Sequence, residues 1–253
     1  MTATAGGGQS PAPGARGPRP PGGARGTVLV TGASGGLGGA VTQAFLADGW
    51  RVVAASRSGR PAGVTTAGDR LQVVAADLDE PADVAATVAA ATQDDGAPLR
   101  ALVNLVGGFA AGGRVHETPV EDLERQLALN LRPTWLVTKA VLPHLVAAGG
   151  GAVVCMSSRS AVAPFRGGAG YAAAKAAVLA FAQAVAVEYR DAGVRCNAVL
   201  PSVIDTPANR AAQPDADYSR WVPPAQVAGV IRFLCGEESA PTSGAAVPVY
   251  GRA

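Results

Sequence analysis

Thr27-Val28-Leu29-Val30-Thr31 runs directly into Gly32-Ala33-Ser34-Gly35-Gly36-Leu37-Gly38. The first five residues are apolar or β-branched, the composition of a short buried strand. The glycines then open a helical pattern in which Leu37, Val41, Ala44, Phe45 and Leu46 recur on one face. Strand, glycine-rich turn and helix in that order are the context that a dinucleotide site needs: glycine lets the backbone approach a pyrophosphate, which then sits on the helix N-terminus. The spacing across Gly32, Gly36 and Gly38 is Gly-x-x-x-Gly-x-Gly, not the commoner Gly-x-Gly-x-x-Gly. Glycine-rich turns arise easily in a chain with 33 glycines, so the weight lies on the strand before it.

Outward from this unit the pattern repeats. Strand-like runs lie at 51–56, 71–75, 101–104, 151–156, 194–200 and 246–250, with helical patterns at about 36–48, 81–95, 119–147, 170–191 and 224–235. Such alternation predicts βαβ units with right-handed crossovers, hence an α/β fold: a doubly wound parallel sheet with helices on both faces. Ligands of such sheets bind at the carboxyl ends of the strands. The chain's chemically informative residues fall there: Asp77 follows the third strand, Asn104 ends the fourth, Ser158 follows the fifth and Pro201-Ser202 the sixth.

Tyr171 and Lys175 are four residues apart, so on a helix they share a face. A phenol is a poor acid-base group at neutral pH, and a neighbouring ammonium is expected to lower its pKa towards the working range. Lysine is rare here: 139 and 175 are the only two. Taken alone, the pair is equally a surface Tyr and Lys on a helix.

Together these features resemble the short-chain dehydrogenase/reductase family in its single-domain form. The resemblance rests on Thr31 to Gly38, Asp77-Leu78, Asn104-Leu105-Val106-Gly107, Asn130, Ser158, Tyr171 with Lys175, Pro201-Ser202 and Ile204-Asp205-Thr206, in the family's order and spacing. It implies a Rossmann-type sheet and hydride transfer between a nicotinamide and a carbonyl or alcohol. Tyr171 would then give its proton to the carbonyl oxygen. Lys175 would tune the phenol and bind the nicotinamide ribose. Ser158, selected over Ser157 and Ser160 by its thirteen-residue interval to Tyr171, would stabilise charge on the oxygen. Asn130 would anchor a water joining Lys175 to solvent. The resemblance also implies that Gly32, Ser34, Gly35, Gly36, Leu37, Gly38, Asp77, Leu78, Asn104, Gly107, Pro201, Ile204 and Thr206 line the cofactor site, and that helices 119–147 and 170–191 form a homo-oligomer interface, giving a dimer or tetramer. Two departures stand out. Leu105-Val106 replaces the usual Asn-Ala, and Ser202 replaces a glycine whose absence is expected to crowd the nicotinamide or demand another backbone angle.

Cofactor choice is read at the end of the second strand. An acidic residue there reads a ribose 2′-OH, and an arginine reads a 2′-phosphate. The sequence is Ser56-Arg57-Ser58, with no Asp or Glu between Asp48 and Asp69. NADP(H) is therefore expected, with NAD(H) possible, since the glycine-rich turn adds no basic residue and Arg57 could be a solvated loop arginine.

Composition bounds the rest. A chain of 253 residues that is 48% hydrophobic suits one α/β domain, expected over 26–253. Residues 1–25, rich in Gly, Pro and Arg, are expected to be a disordered tail rather than a secretory signal. A scattered net charge of +2 gives no nucleic-acid footprint. Cys155, Cys196 and Cys235 in apolar runs point to reduced thiols and a cytoplasmic protein. His116 and His144 form no ligand cluster, so no metal site is expected. No stretch is expected to approach the ~18 apolar residues of a membrane span. The expected partner is a small carbonyl or alcohol substrate. Arg159 and Arg166, between Ser158 and Tyr171, would favour acidic or carrier-linked acyl substrates such as 3-oxoacyl thioesters, or be surface residues. Phe109 sits in a flexible glycine loop over 107–113, and 207–222 stands in place of a long lid. A competing class is a dinucleotide-binding sensor without catalysis, which would keep the turn without needing Asn130, Ser158, Tyr171 and Lys175.

Overall fold

The β-branched runs become strands β1 (Thr27–Thr31), β2 (Arg51–Ser56), β3 (Leu71–Ala75), β4 (Leu99–Asn104), β5 (Gly151–Met156), β6 (Val194–Pro201) and β7 (Ala246–Val249). In the computed structural model, which describes residues 25–65 and 68–252, they form one sheet of order β3-β2-β1-β4-β5-β6-β7. Every neighbouring pair is parallel. The order reverses between β1 and β4, which opens a crevice at their carboxyl ends.

Helices α1 (Gly38–Ala47), α2 (Pro81–Thr92), α3 (Val120–Asn130), α4 (Arg132–Ala147), α5 (Ala169–Glu188), α6 (Pro207–Ala212) and α7 (Pro224–Cys235) connect the strands. Alternate strand residues feed two cores. Val28, Val30, Val52 and Val154 pack under α1 and α7 through Val41, Phe45, Ile231 and Leu234. Leu29, Val53, Leu102 and Val153 pack under α2, α4 and α5 through Val88, Val141, Leu145 and Val178. Both faces of the sheet are thus covered, as continuous hydrophobic strands require.

Four expectations need correction. The single helix expected over 119–147 is two, parted at Leu131, because Pro133 in the first turn of α4 has no N–H to continue the ladder from α3. The segment 207–222 contains α6, started by Thr206, whose side chain accepts a hydrogen bond from the Asn209 N–H, with Pro207 in the first turn. By length and composition α5 is apolar enough to cross a membrane, with a mean hydropathy of 1.5 over an 18-residue window. It is instead a core helix packed on β6 and α3, and its inner face carries the buried Lys175. Finally, Arg25, assigned to the tail, is tied to the domain: its N–H donates to the Gly49 carbonyl, and its guanidinium lies 3.6 Å from Asp48. The rest of the expected tail lies outside the described residues.

Candidate active site

The glycine-rich turn leaves β1 and starts α1 without a side-chain cap and without an acidic residue in the first helical turn. The positive end of that helix therefore faces the crevice uncompensated, which fits an anion such as a pyrophosphate. Close packing defines the turn. A Cβ on Gly38 would strike the Ala33 backbone, lying 2.6 Å from its Cα, so α1 can lie this near the turn only with glycine. Thr206 packs against Gly36 from across the crevice. Gly32 and Gly35 shape the turn through the Gly35 N–H donated to the Gly32 carbonyl at 3.1 Å. Leu37 is buried in the core under α1, so it offers a ligand its backbone only. Leu78 is likewise a core residue. Asp77 accepts the Asp79 N–H at 3.2 Å, closing the turn after β3.

At the end of β2, the buried Ser56 hydroxyl donates to the Gly59 carbonyl at 2.7 Å and bends the following loop. Ser58 and Ser34 hydroxyls meet at 2.8 Å, joining that loop to the glycine-rich turn. Arg57 lies exposed beside this junction.

The strand β4 ends in Asn104, whose side-chain N–H donates to the Thr138 hydroxyl at 2.9 Å, while its Oδ1 is buried without a partner among the described residues. The departure at Leu105-Val106 leaves the backbone held, because the Leu105 N–H donates to the Thr31 hydroxyl at 3.2 Å. Two residues on, a Cβ on Gly107 would lie 2.7 Å from Asn130 Oδ1 and 3.1 Å from Lys175 Nζ. Gly107 is thus the gap through which Asn130 and Lys175 approach the same patch of backbone. Asn130 is fixed at the end of α3: its Oδ1 accepts the Gly108 N–H at 3.2 Å and its amide donates to the Gln126 carbonyl at 2.9 Å.

Tyr171 and Lys175 occupy the first two turns of α5, with Lys175 Nζ 5.9 Å from the centre of the Tyr171 ring. The ammonium donates to the Met156 carbonyl at 3.0 Å. Burial drives the Lys175 pKa from 10.5 down to about 8, partly opposed by the Cys155 sulfur. The phenol runs against the sequence expectation. Burial raises the Tyr171 pKa above 10.0, and the hydrogen bond with Ser158 only partly reverses this. The ammonium is directed at the Met156 carbonyl, and burial remains the largest influence on the phenol.

Ser158 is the serine that faces the phenol, while Ser157 donates to the Lys175 main-chain carbonyl at 2.8 Å and so seats α5 on β5. Ser160 meets Ser158 twice: its N–H donates to the Ser158 hydroxyl at 3.1 Å, and the Ser158 hydroxyl donates to its hydroxyl at 3.2 Å. Phe109 lies edge-on to the Tyr171 ring at 5.0 Å and 6.2 Å from Phe165, an aromatic wall over the phenol that spacing did not reveal. The departure at Ser202 demands no unusual backbone angle. Its hydroxyl donates to the Tyr250 carbonyl at 2.7 Å, and no residue other than glycine has a positive φ among the described residues. Pro201 is buried at the end of β6, and Ile204 bridges to Val222. Among the described residues no three His, Cys, Asp or Glu side chains cluster as metal ligands.

Comparison with known proteins defines the class: residues 26–217 match the short chain dehydrogenase family, and the chain belongs to it. It is an NAD(P)-dependent oxidoreductase. It is 38% identical over 242 residues to 2-(R)-hydroxypropyl-CoM dehydrogenase of Xanthobacter autotrophicus, covering 88% of this chain and 96% of the relative. The structure of a 3-ketoacyl-(acyl-carrier-protein) reductase from Brucella melitensis, complexed with NADH, superposes with a TM-score of 0.79 at 28% identity over 90% of this chain and 98% of the other. The fold is shared with ElxO with NADP bound, at a TM-score of 0.81 and 24% identity over 89% and 97% of the two chains.

Proposed function

We propose that this protein interconverts a ketone or aldehyde carbonyl and its alcohol, that Tyr171 is the proton donor in reduction, and that NADP(H) is preferred over NAD(H). The observation that carries the reading is the buried cluster of Ser158, Tyr171 and Lys175 at the head of α5, beside the uncapped N-terminus of α1. When bound, the nicotinamide supplies or accepts the hydride. Gly32 to Gly38 and Thr206 would hold the dinucleotide's phosphates, with Asn104 and Pro201 at its reactive end.

The chain's own residues account for the proton. A raised phenol pKa keeps Tyr171 protonated at neutral pH, the form a general acid needs. Ser158 would donate a hydrogen bond to the substrate oxygen by turning its O–H from the Ser160 hydroxyl, while the Ser160 N–H holds its oxygen in place. Lys175 and Asn130, converging on Gly107, provide the route by which the phenol would recover its proton.

NADP(H) preference is supported by Arg57 beside the Ser34–Ser58 pair and by the lack of an acidic residue at the end of β2. A homo-oligomer is supported by the outward apolar face of α4 and α5, where Trp135 and Phe181 stack at 4.9 Å. A cytoplasmic site is supported by three buried free cysteines. Residues 1–24 are proposed to be a tail outside the catalytic domain. The decisive experiment follows dinucleotide absorbance while the purified protein meets a panel of ketones, aldehydes and alcohols, with Tyr171→Phe as control. Turnover that the control lacks supports the enzyme, and no difference on any compound favours a dinucleotide sensor.

A further inference from the structure

We propose that Arg159 is a specificity-determining residue that binds an anionic group, a carboxylate or sulfonate, on the same molecule as the reacting carbonyl. The proposal rests on the carbonyl–alcohol reading above. Arg159 follows Ser158 directly and opens the short 3-10 turn Arg159–Ala161 at the carboxyl end of β5. Adjacent Cα atoms are ~3.8 Å apart, so its side chain starts beside the group expected to hold the substrate oxygen.

Its guanidinium is parked rather than free in solvent. It lies 5.2 Å over the Tyr250 ring, and the residue is half-buried. The platform is itself fixed, since the Ser202 hydroxyl donates to the Tyr250 carbonyl at 2.7 Å and the Ser202 N–H to the Val249 carbonyl at 3.2 Å. Ser202, the residue that departs from the family pattern, thus serves to hold the ring beneath Arg159.

Among the described residues the charge has no counter-ion. Among the described residues, Arg25 and Arg232 pair with Asp48, Arg51 with Asp94, Arg132 with Asp79 and Arg210 with Asp205. Arg159 has neither a carboxylate nor a carbonyl acceptor for its five N–H donors. The nearest acid after β6, Asp205, is already taken by both Arg210 donors at 2.5 and 2.8 Å. A half-buried guanidinium with unspent donors is costly unless a partner arrives, and its planar fork matches an oxyanion. Because Arg159 follows directly the residue expected to hold the substrate oxygen, that partner is assigned to the substrate.

The test uses the full-length protein with three oxo acids of rising length, 3-oxobutanoate, 4-oxopentanoate and 5-oxohexanoate, each against its methyl ester. At least one acid should exceed its ester in kcat/KM by about tenfold or more, the size of one charge-assisted contact. Arg159→Gln should collapse that acid-to-ester ratio towards unity, with the loss falling on KM. Arg159→Lys should keep part of it, and rising salt should erode it in the wild type only. Binding is read separately, as the thermal shift that each acid produces in the presence of NADPH or NADH. If no ketone turns over but an acid still stabilises the wild type and not Arg159→Gln, the anion site stands and the carbonyl reading falls. If no acid is preferred or bound, or if Arg159→Gln keeps the preference and the shift, the proposal is overturned.

Discussion

The glycine-rich turn after β1 and the Ser158–Tyr171–Lys175 cluster after β5 face the same crevice, yet they are built by opposite means. The turn works through side chains that are missing: Gly38 lets α1 close on Ala33, and Thr206 leans on Gly36. The cluster works through side chains that are buried at a cost, a phenol pushed above its usual pKa and an ammonium pushed down to about 8. In the first region the backbone is proposed to bind, and a methyl added at Gly38 or Gly36 meets its neighbours too closely. In the second, removing a single polar atom changes chemistry while the packing survives. Binding and turnover are therefore separable by substitution.

The largest effect should come from crossing the two regions. Tyr171→Phe removes one hydroxyl and should cost about 10²–10⁴ in kcat, the range of general acid catalysis, with dinucleotide affinity nearly intact. Gly38→Ala should do the reverse, weakening dinucleotide binding and lowering stability by roughly 1–3 kcal/mol through overpacking. Fluorescence titration, steady-state kinetics and urea unfolding read the two losses apart. Equal losses of binding and turnover in both variants would break the comparison.

Gly107→Ala tests the one place where a missing side chain serves the cluster. The new methyl would displace Asn130 Oδ1 or Lys175 Nζ, with contacts of 2.7 and 3.1 Å. A displacement of about 1 Å at a reacting centre costs on the order of 10²-fold, so kcat/KM should fall by about that factor. Full activity in this variant would mean that Asn130 and Lys175 do not act as a unit.

A smaller effect is expected at the outer end of the crevice. Arg57→Ala should shift the NADPH-to-NADH ratio of kcat/KM by about tenfold, the size of one charge-assisted phosphate contact, and should scarcely alter kinetics with NADH. Equal changes with both dinucleotides would remove Arg57 as the discriminator.

The smallest effect is on stability. Lys175 has a folded pKa of about 8 against an ordinary 10.5, so it weighs against the fold where both states hold the proton, below about pH 8. The penalty fades as pH rises from 8 to 10.5, because the folded chain then gives up the charge. Lys175→Met should therefore melt higher than wild type at pH 7, by on the order of 1 kcal/mol or about 2–4 °C after the lost Met156 contact is counted. The gain should shrink across that window. A constant difference at all pH values would show that the ammonium is better solvated than its burial implies.

Much of the fold was legible in the sequence because its elements are written locally. Strand runs such as Val28 to Val30 declare themselves over a few residues, and the order of motifs placed each at a strand end. The same holds for Tyr171 and Lys175, whose spacing puts both on one face of α5. Two helix boundaries were missed, and each lies at a proline: Pro133 parts α3 from α4, and Pro207 with Thr206 starts α6. Both are helix boundary signals that an apolar period overrides when it is read alone.

What only the tertiary structure decided is whatever depends on neighbours distant in the chain. Spacing brought Lys175 near the phenol, but its ammonium donates to the Met156 carbonyl, 19 residues away, and burial is the largest influence on the Tyr171 pKa. Ser202 read as an obstacle until Tyr250, 48 residues on, proved to be its partner. Arg159 read from the sequence as either a substrate-facing or a surface arginine, and only the fold sets it over Tyr250 with no carboxylate among the described residues beside it. A side chain's type and period follow from local covalent chemistry. Its charge state and partner follow from the dielectric and the donors around it, and those are assembled only when separate strands meet.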